Sequence, residues 1–428
     1  MRKTGSRRSA MRWNETRRKT TIVTFALLAS LVSFQACGGA DGFQQPRELS
    51  ADEQALVAAS ENFGLDFFRE VVSQSDGGNV FVSPLSVSMA LGMTVNGARG
   101  TTEQGMRQAL RIDGMTAEQA NRAFRDLIGL LTTMDPAVTV EIANSIWYRE
   151  GLEVLQEFVD VNVEFFNAVV QALDFASPQA AETINNWVSD ATHGLIDRII
   201  EGQIPPAIVM YLINAVYFKG DWTTKFDKSV TRPDTFHALD GDKTVQMMHL
   251  KAGFRVVEEG TFSAIELPYG HELFHMTILL PDEPTGVDDV VASLSADRWR
   301  QLMARFEAAV LEEIEVYLPK FKLEWKSELK PVLAAMGMAE AFDPNMADFT
   351  GIVPEGGLYI SEVFHKSFVR VDEEGTEAAA ATRVDMGLGA ISPPPEFRVD
   401  RPFVFAIHDR HSGALLFIGK IVDPPPVE

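Results

Sequence analysis

Glu373 to Pro395 reads EEGTEAAAATRVDMGLGAISPPP, and this stretch decides how the rest of the chain is interpreted. Every second residue from Thr376 to Leu388 is apolar or small, whereas the intervening residues can face water. A period of two is typical of a β-strand with one buried face. The stretch nevertheless begins with acidic residues and ends in glycines and prolines, which is typical of an exposed loop. It therefore predicts a loop with the pattern of a buried strand; an alanine-rich helix is the alternative.

Composition sets the class of protein. The chain has 428 residues, of which 46% are apolar, so it can bury a large core. No linker-like interruption follows residue 50, and we expect one domain over residues 51–428. The net charge of −22 argues against nucleic acid and anionic lipid as partners. Because Cys37 is the single cysteine, the fold can contain no internal disulfide.

The N-terminal residues have the pattern of an export signal. A basic segment precedes an apolar run from Thr21 to Phe34, which is too short for a comfortable membrane helix. Cys37 follows directly, and the run into it resembles a bacterial lipobox. We predict a signal peptide over residues 1–37, lipidation at Cys37, a flexible tether over 38–50, and export to the cell envelope or the exterior. The membrane would be contacted only through this anchor; a simple secretory signal is the alternative.

The remaining chain mixes helical and strand patterns and predicts an α+β fold with large mixed or antiparallel sheets. Ser50 and Glu53 form a capping box that begins the first helix. Further helices are predicted at residues 84–96, 154–166, 180–191, 295–307 and 327–336. Strands are predicted at residues 138–148, 208–218, 312–321, 358–371, 403–408 and 414–421.

Ordered segments throughout residues 51–428 resemble the serpin family. EEGTEAAAAT, which begins at Glu373, looks like the proximal hinge of the reactive loop in inhibitory serpins. The other matching segments are FVSPLS at 81–86, NSIW at 144–147, INNW at 184–187, THGLI at 192–196, LINAVYFKGDW at 212–222, RPFVF at 401–405 and FIGK at 417–420. The resemblance implies a serpin fold with about eight or nine helices and an exposed reactive-centre loop at about residues 373–395.

The resemblance also implies a function and residue roles. The chain would be a suicide inhibitor of a serine protease and not an enzyme, acting as a monomer without a cofactor. Its hinge would comprise Glu373, Gly375, Thr376, Glu377, Ala378, Ala379, Ala380, Ala381 and Thr382. A hydrogen-bonded shutter beneath the opening sheet would contain Ser83, Ser86, Asn214 and His365, and Trp222 would lie at the breach, where the loop first enters.

Family spacing places the scissile bond at Gly389–Ala390, and counting back from the following strand gives Ile391–Ser392. Small and apolar residues there favour an elastase-like or subtilisin-like protease; cleavage after Leu388 by a chymotrypsin-like enzyme is the next choice. The alternative function is a non-inhibitory serpin that acts as a binding module. Such a protein would be expected to carry bulky or charged residues on the inward positions of the hinge, and this chain does not.

The sequence offers little for catalysis or metal binding. His271 to His275 reads HELFH, which matches the zinc-protease pattern only if it lies on a helix. Pro268 and Gly270 precede it and a strand pattern follows, so the two histidines would lie about 13 Å apart. We therefore predict a hairpin and no metal site. No nucleophile motif is present, and His408 and His411 are predicted to be solvated beside a turn.

Overall fold

The computed structural model describes residues 45–376 and 394–427, which belong to one unit that begins at Gln45. The predicted signal peptide with Cys37, and the loop residues from Glu377 to Ser392, lie outside the described residues. The structural statements below concern the described part of the chain.

Nine α-helices are present in the described residues, in agreement with the predicted number. Ser50 caps the first by accepting a hydrogen bond from the Glu53 N–H at 3.2 Å, while Glu53 Oε2 accepts from the Ser50 N–H at 2.8 Å. The helices are α1 (Ala51–Gln74), α2 (Pro84–Val95), α3 (Gly100–Ala109), α4 (Ala117–Leu131), α5 (Gln156–Phe166), α6 (Ala180–Ala191), α7 (Val287–Ser293), α8 (Ala296–Ala308) and α9 (Lys330–Leu333).

Fifteen strands complete the regular structure of the described residues. They are β1 (Val80–Val82), β2 (Val138–Arg149), β3 (Val169–Leu173), β4 (Met210–Asp221), β5 (Arg232–Ala238), β6 (Gly241–Glu258), β7 (Phe262–Tyr269), β8 (Phe274–Pro281), β9 (Glu312–Pro319), β10 (Phe321–Glu328), β11 (Phe364–Val371), β12 (Gly375–Thr376), β13 (Glu396–Arg398), β14 (Phe403–Asp409) and β15 (Leu415–Ile421).

These strands form three sheets. The largest has the order β1-β15-β14-β8-β7-β6-β9-β13, with β5 added to β6. Its central strands β8, β14 and β15 are buried along their whole length, which explains their nearly continuous apolar sequences. A second sheet has the order β12-β4-β2-β3, and a third pairs β10 with β11. The predicted α+β fold with large mixed sheets is confirmed.

Helix α6 covers the second sheet. It places Ile184 and Val188 on an apolar cluster that includes Trp147 and Ile213 from the strands beneath. None of the helices in the described ranges is both long and apolar enough to cross a membrane.

Several predicted elements differ from the structure in their bounds. The strand expected at residues 358–371 begins only at Phe364. The strand expected at 312–321 ends at Pro319, because the chain changes there from the large sheet to the β10–β11 pair. The helix expected from residue 327 begins at Lys330, since β10 remains paired with β11 through Glu328.

Candidate functional site: hinge, breach and shutter

The beginning of the hinge already lies within a sheet. Gly375 and Thr376 form β12, which pairs antiparallel with β4 at Asp221 and Gly220. Thr376 is 4% exposed, and its Oγ1 lies 2.9 Å from the hydroxyl oxygen of buried Tyr269. The expectation of an exposed loop from Glu373 onward is therefore wrong for residues 373–376. Pairing with β4 and burial hold these residues. The sequence pattern predicted a segment with the features of a strand, but not that its first residues are already paired.

Gly375 is required by the close approach of two backbones. A Cβ atom at this position would lie 2.1 Å from the Gly220 carbonyl oxygen and 2.7 Å from the Asp221 Cα. The φ angle of +150° is also one that residues with side chains rarely adopt. A larger residue would therefore separate the hinge from β4.

Trp222 holds the three residues that precede β12. Its indole N–H donates to the Asp372 carbonyl oxygen at 2.9 Å, and its backbone N–H donates to the Glu374 carbonyl oxygen at 2.9 Å. The Phe226 N–H donates to the Glu373 carbonyl oxygen at the same distance. The indole also stacks on the Tyr269 ring, with 4.4 Å between centroids. These contacts tie Trp222 to the backbone that leads into β12.

The side chain of Glu373 is fixed separately. It is 3% exposed, accepts a hydrogen bond from Thr231 Oγ1 at 2.7 Å, and lies 2.8 Å from Lys320 Nζ. Burial by itself would raise the pKa of this carboxyl, but the hydrogen bonds from Lys320 and Thr231 outweigh it and hold the pKa below its usual value. The carboxylate is therefore charged at neutral pH and anchors the hinge.

The four predicted shutter residues lie close together. The Ser83 N–H donates to His365 Nε2 at 3.0 Å, and the Ser86 N–H donates to Ser83 Oγ at 3.3 Å. Ser86 Oγ donates to the Asn214 carbonyl oxygen at 3.4 Å. A continuous chain of hydrogen bonds thus connects the N-terminus of α2 with β4 and β11.

Asn144 is a further member of this network that sequence reasoning did not assign. The Asn214 side-chain amide donates to Asn144 Oδ1 at 2.7 Å, and Asn144 in turn donates to the Phe166 carbonyl oxygen at 2.7 Å. Asn144 and Asn214 face each other in the β2–β4 register. The motif NSIW contained Asn144, but only the strand register shows its partner.

His365 is neutral in the folded protein. Burial lowers its pKa to about 4, and its Nε2 accepts a hydrogen bond, which an imidazolium nitrogen could not do. The ring therefore contributes a hydrogen-bond acceptor and not a charge.

An apolar cleft separates β4 from β11. No ladder joins these two strands in the described residues. Within the same residues, only the two-residue strand β12 is paired on the edge of β4 away from β2, at Gly220 and Asp221, while β11 pairs with β10. A cavity of about 120 Å³ lies along them, and it is lined by side chains that include Ile199, Ile200, Ile213 and Leu358. Both Asn214 and His365 reach this cavity, so the shutter network borders the cleft.

The histidine motif forms the predicted hairpin between β7 and β8. His271 lies in its turn, with Nδ1 2.7 Å from Asp135 Oδ1, whereas His275 lies inside β8. In the part of the chain that the structure describes, no group of three or more His, Cys, Asp or Glu residues could hold a metal ion.

The prediction for His408 is wrong. Its ring is 2% exposed, because the side chain of Trp299 from α8 lies edge-on against it with 5.4 Å between centroids. Its Nε2 is 2.8 Å from Thr277 Oγ1, and burial lowers its pKa to about 3. His411 is only partly exposed, and its Nε2 donates to the Arg47 carbonyl oxygen at 2.7 Å.

Comparisons with known proteins agree on a single family. The family model described as "Serpin (serine protease inhibitor)" matches residues 58–424. Human Serpin B8 is 35% identical over 376 residues, which cover 86% of this chain and 99% of that protein. The leukocyte elastase inhibitor of Equus caballus is 34% identical over 381 residues, covering 87% and 100%. The native structure of the thermophilic serpin tengpin has a TM-score of 0.79 and 32% identity, covering 89% and 97% of the two chains.

Proposed function

The chain belongs to the serpin family, and we propose that it inhibits a serine protease by trapping it as an acyl-enzyme. The observation that carries this proposal is the position of Gly375 and Thr376. They are paired with β4 and buried, and Thr376 lines a pocket between β4 and β11 together with Phe218 and Phe368. Because the hinge already forms the first residues of a strand, cleavage of the loop would free the end that this strand needs in order to extend.

The proposed reaction begins as ordinary proteolysis. The protease serine attacks the scissile carbonyl, the peptide bond breaks, and the amine side leaves with a proton as a new N-terminus. The acyl side remains esterified to the serine. If the segment from Gly375 to Leu388 then extends β12 along β4, it spans about 46 Å at ~3.3 Å per residue, and the esterified protease is carried with it.

The gain in hydrogen bonds is large enough for such a trap. An inserted strand would add on the order of ten to twenty backbone hydrogen bonds, which contribute roughly 10–20 kcal/mol at ~1 kcal/mol each. Thr376, Ala378 and Ala380 are small, so this end of the segment can enter beside β4 without large side chains.

We propose an elastase-like or subtilisin-like target that cuts at Gly389–Ala390, with cuts at Leu388 or Ile391–Ser392 as the alternatives. The small and apolar residues around these bonds support this choice. The similarity to leukocyte elastase inhibitors supports it as well. A chymotrypsin-like enzyme would be the corresponding target for a cut after Leu388.

The test is incubation of the purified protein with elastase, subtilisin, chymotrypsin and trypsin, followed by denaturing gels. We expect a covalent, SDS-stable complex with at least one of the first three enzymes. Complete cleavage without any complex would overturn the inhibitor proposal and would leave the non-inhibitory binding module.

A variant of Thr376 tests the role of the hinge. Thr376→Arg places a long cation at a site that is 4% exposed, so cleavage should continue while the covalent complex falls at least tenfold. Thr376→Val is the matched control, because it keeps the volume and removes only the hydrogen bond to Tyr269. Unchanged complex formation by Thr376→Arg would contradict this account of the hinge.

We also propose that the protein is exported and anchored by a lipid on Cys37. The apolar run before this cysteine and the polar stretch after it support the proposal.

A further inference from the structure

A second cavity, of about 130 Å³, lies against Trp222 and Phe226, the two residues that hold the hinge backbone. We call it the Trp222 cavity. Much of its wall is apolar, and three of its polar side chains are charged or titratable and partly or fully buried. Its lining includes Trp222, Phe226, Arg255, Glu266, Glu272 and His275.

Three buried polar atoms of the Trp222 cavity lack hydrogen-bond partners among the described residues. They are Arg255 Nε, Glu266 Oε1 and His275 Nδ1. Glu266 and His275 are each 3% exposed, so bulk water does not solvate them freely. Buried polar groups are normally paired, and leaving one unpaired is unfavourable. Three such atoms, on residues that line one cavity, therefore indicate a site for a polar group that enters from outside.

Two of these atoms belong to residues that face each other in the sheet. Arg255 and Glu266 are directly opposite each other in the antiparallel β6–β7 register, so their side chains leave the same face of the sheet. Arg255 Nε–H can donate a hydrogen bond, and Glu266 Oε1 can accept one. The other carboxylate oxygen of Glu266 is already occupied by Arg410 Nη1 at 2.9 Å. The two unpaired atoms therefore match a ligand group that can accept one hydrogen bond and donate another.

The dimensions of the cavity limit the ligand to about one ring. Cavities of about 150 Å³ with apolar walls hold a molecule of the size of benzene. A path from solvent exists, because Leu311, which is 60% exposed, and the exposed residues Gly253 and Glu272 form part of the lining.

The charge of the cavity favours a neutral ligand. Arg255 would repel a cation, and Glu272 would repel an anion. A hydroxyl group has one donor and two acceptor positions and carries no charge.

We propose that the Trp222 cavity binds a neutral, single-ring aromatic molecule that carries one hydroxyl group. The hydroxyl accepts a hydrogen bond from Arg255 Nε–H and donates one to Glu266 Oε1. The ring packs on the side chains of Trp222 and Phe226.

Such a ligand would also act on the hinge, and this consequence rests on the proposed inhibition. Trp222 and Phe226 donate to the carbonyl oxygens of Asp372, Glu373 and Glu374. A ring bound against both side chains stabilises the arrangement that keeps the hinge start in place. Loop insertion should then slow, and a larger share of the protein should be cleaved without trapping its protease.

Binding is tested with phenol by calorimetry and by the emission of tryptophan excited at 295 nm. Anisole and toluene are matched probes, because anisole keeps the acceptor but lacks the donor, and toluene lacks both. We expect saturable binding of one phenol, at least tenfold tighter than either probe. Equal affinity of all three would overturn the hydroxyl assignment, and absence of saturable phenol binding would overturn the site.

Variants identify the position of binding. Arg255→Met keeps an apolar stem and removes the Nε–H, so phenol affinity should fall at least tenfold. Lys251→Met is the matched control, because Lys251 lies on the same strand but is exposed and pairs with Glu313. If Arg255→Met fails to fold, a crystal soaked in phenol decides, and a ring found anywhere but beside Arg255 and Glu266 overturns the proposal.

The effect of phenol on the hinge is measured in a separate inhibition assay. Phenol at saturation should raise the number of inhibitor molecules consumed per trapped protease at least twofold in wild type and leave it unchanged in Arg255→Met. A protein that binds phenol but traps no protease with or without it would contradict the proposed inhibition and leave the binding site intact. If bound phenol left the number of inhibitor molecules consumed per trapped protease unchanged in wild type, only the proposed effect of the ligand on the hinge would be wrong.

Discussion

Gly375→Ala should release the hinge from β4. The added Cβ would lie 2.1 Å from the Gly220 carbonyl oxygen, whereas real Cβ contacts stay above 3.0 Å, so the backbones must separate by about an ångström. The backbone fixes the position of the Cβ and the contacted oxygen also belongs to the backbone, so no side-chain rotation can relieve the contact.

The size of the effect follows from the hydrogen bonds that such a separation breaks. Trp222 donates to the Asp372 and Glu374 carbonyl oxygens, and Thr376 is bonded to Tyr269. Three hydrogen bonds at ~0.5–1.5 kcal/mol each amount to about 2–4 kcal/mol of lost stability. Urea unfolding followed by tryptophan emission measures this loss, and the emission of the folded protein should also change because Trp222 loses its partners.

Gly129→Ala is the matched control. Gly129 is exposed within α4, and a Cβ there would meet no atom within 4 Å. This variant should be more stable than wild type by about 0.5–1 kcal/mol, because glycine weakens a helix interior. If Gly375→Ala behaved like Gly129→Ala, the close approach of the hinge and β4 would not exist in solution.

The remaining predictions concern pH and the anchor. His365 has a pKa of about 4 in the fold against 6.5 when unfolded, so the unfolded state binds a proton first as the pH falls. This group should therefore lower stability by about 3 kcal/mol between pH 6.5 and 4, with no contribution above that window. His365→Gln, which can still accept from Ser83, should remove this loss. Urea midpoints measured at several pH values give the contribution of His365 as the difference between the variant and wild type. Glu61 and Glu266, whose pKa values burial raises to about 7, affect stability with the opposite sign, but they are present in both proteins and cancel in the difference. If His365→Gln lost more stability than wild type over this pH range, the conclusion that His365 is neutral in the folded protein would be wrong. For the anchor, Cys37→Ser should move the exported protein from the detergent phase to the aqueous phase in a partition assay. A serine variant that stays with the detergent would exclude lipidation at this residue.

Local patterns in the sequence predicted much of the fold. The amphipathic repeat predicted α6 at Ala180–Ala191 with its observed limits, and glycine and proline before His271 predicted a hairpin in place of a helix. Such features depend on neighbours within a few residues, so composition and spacing can express them. The ordered motifs likewise predicted the family, which the comparisons then showed.

Other features depend on which distant residues meet. Tyr269 and Thr376 are 107 residues apart in sequence, and no local pattern marks either as the partner of the other. His408 ends a strand beside a polar turn, and only the packing of Trp299 from α8 buries it. The unpaired atoms of Arg255 and Glu266 become neighbours only through the β6–β7 register. The sequence by itself determined the kinds of elements and the segment able to join a sheet. The tertiary structure decided where that segment is already held, because burial and hydrogen bonding are properties of pairs that the folded chain brings together.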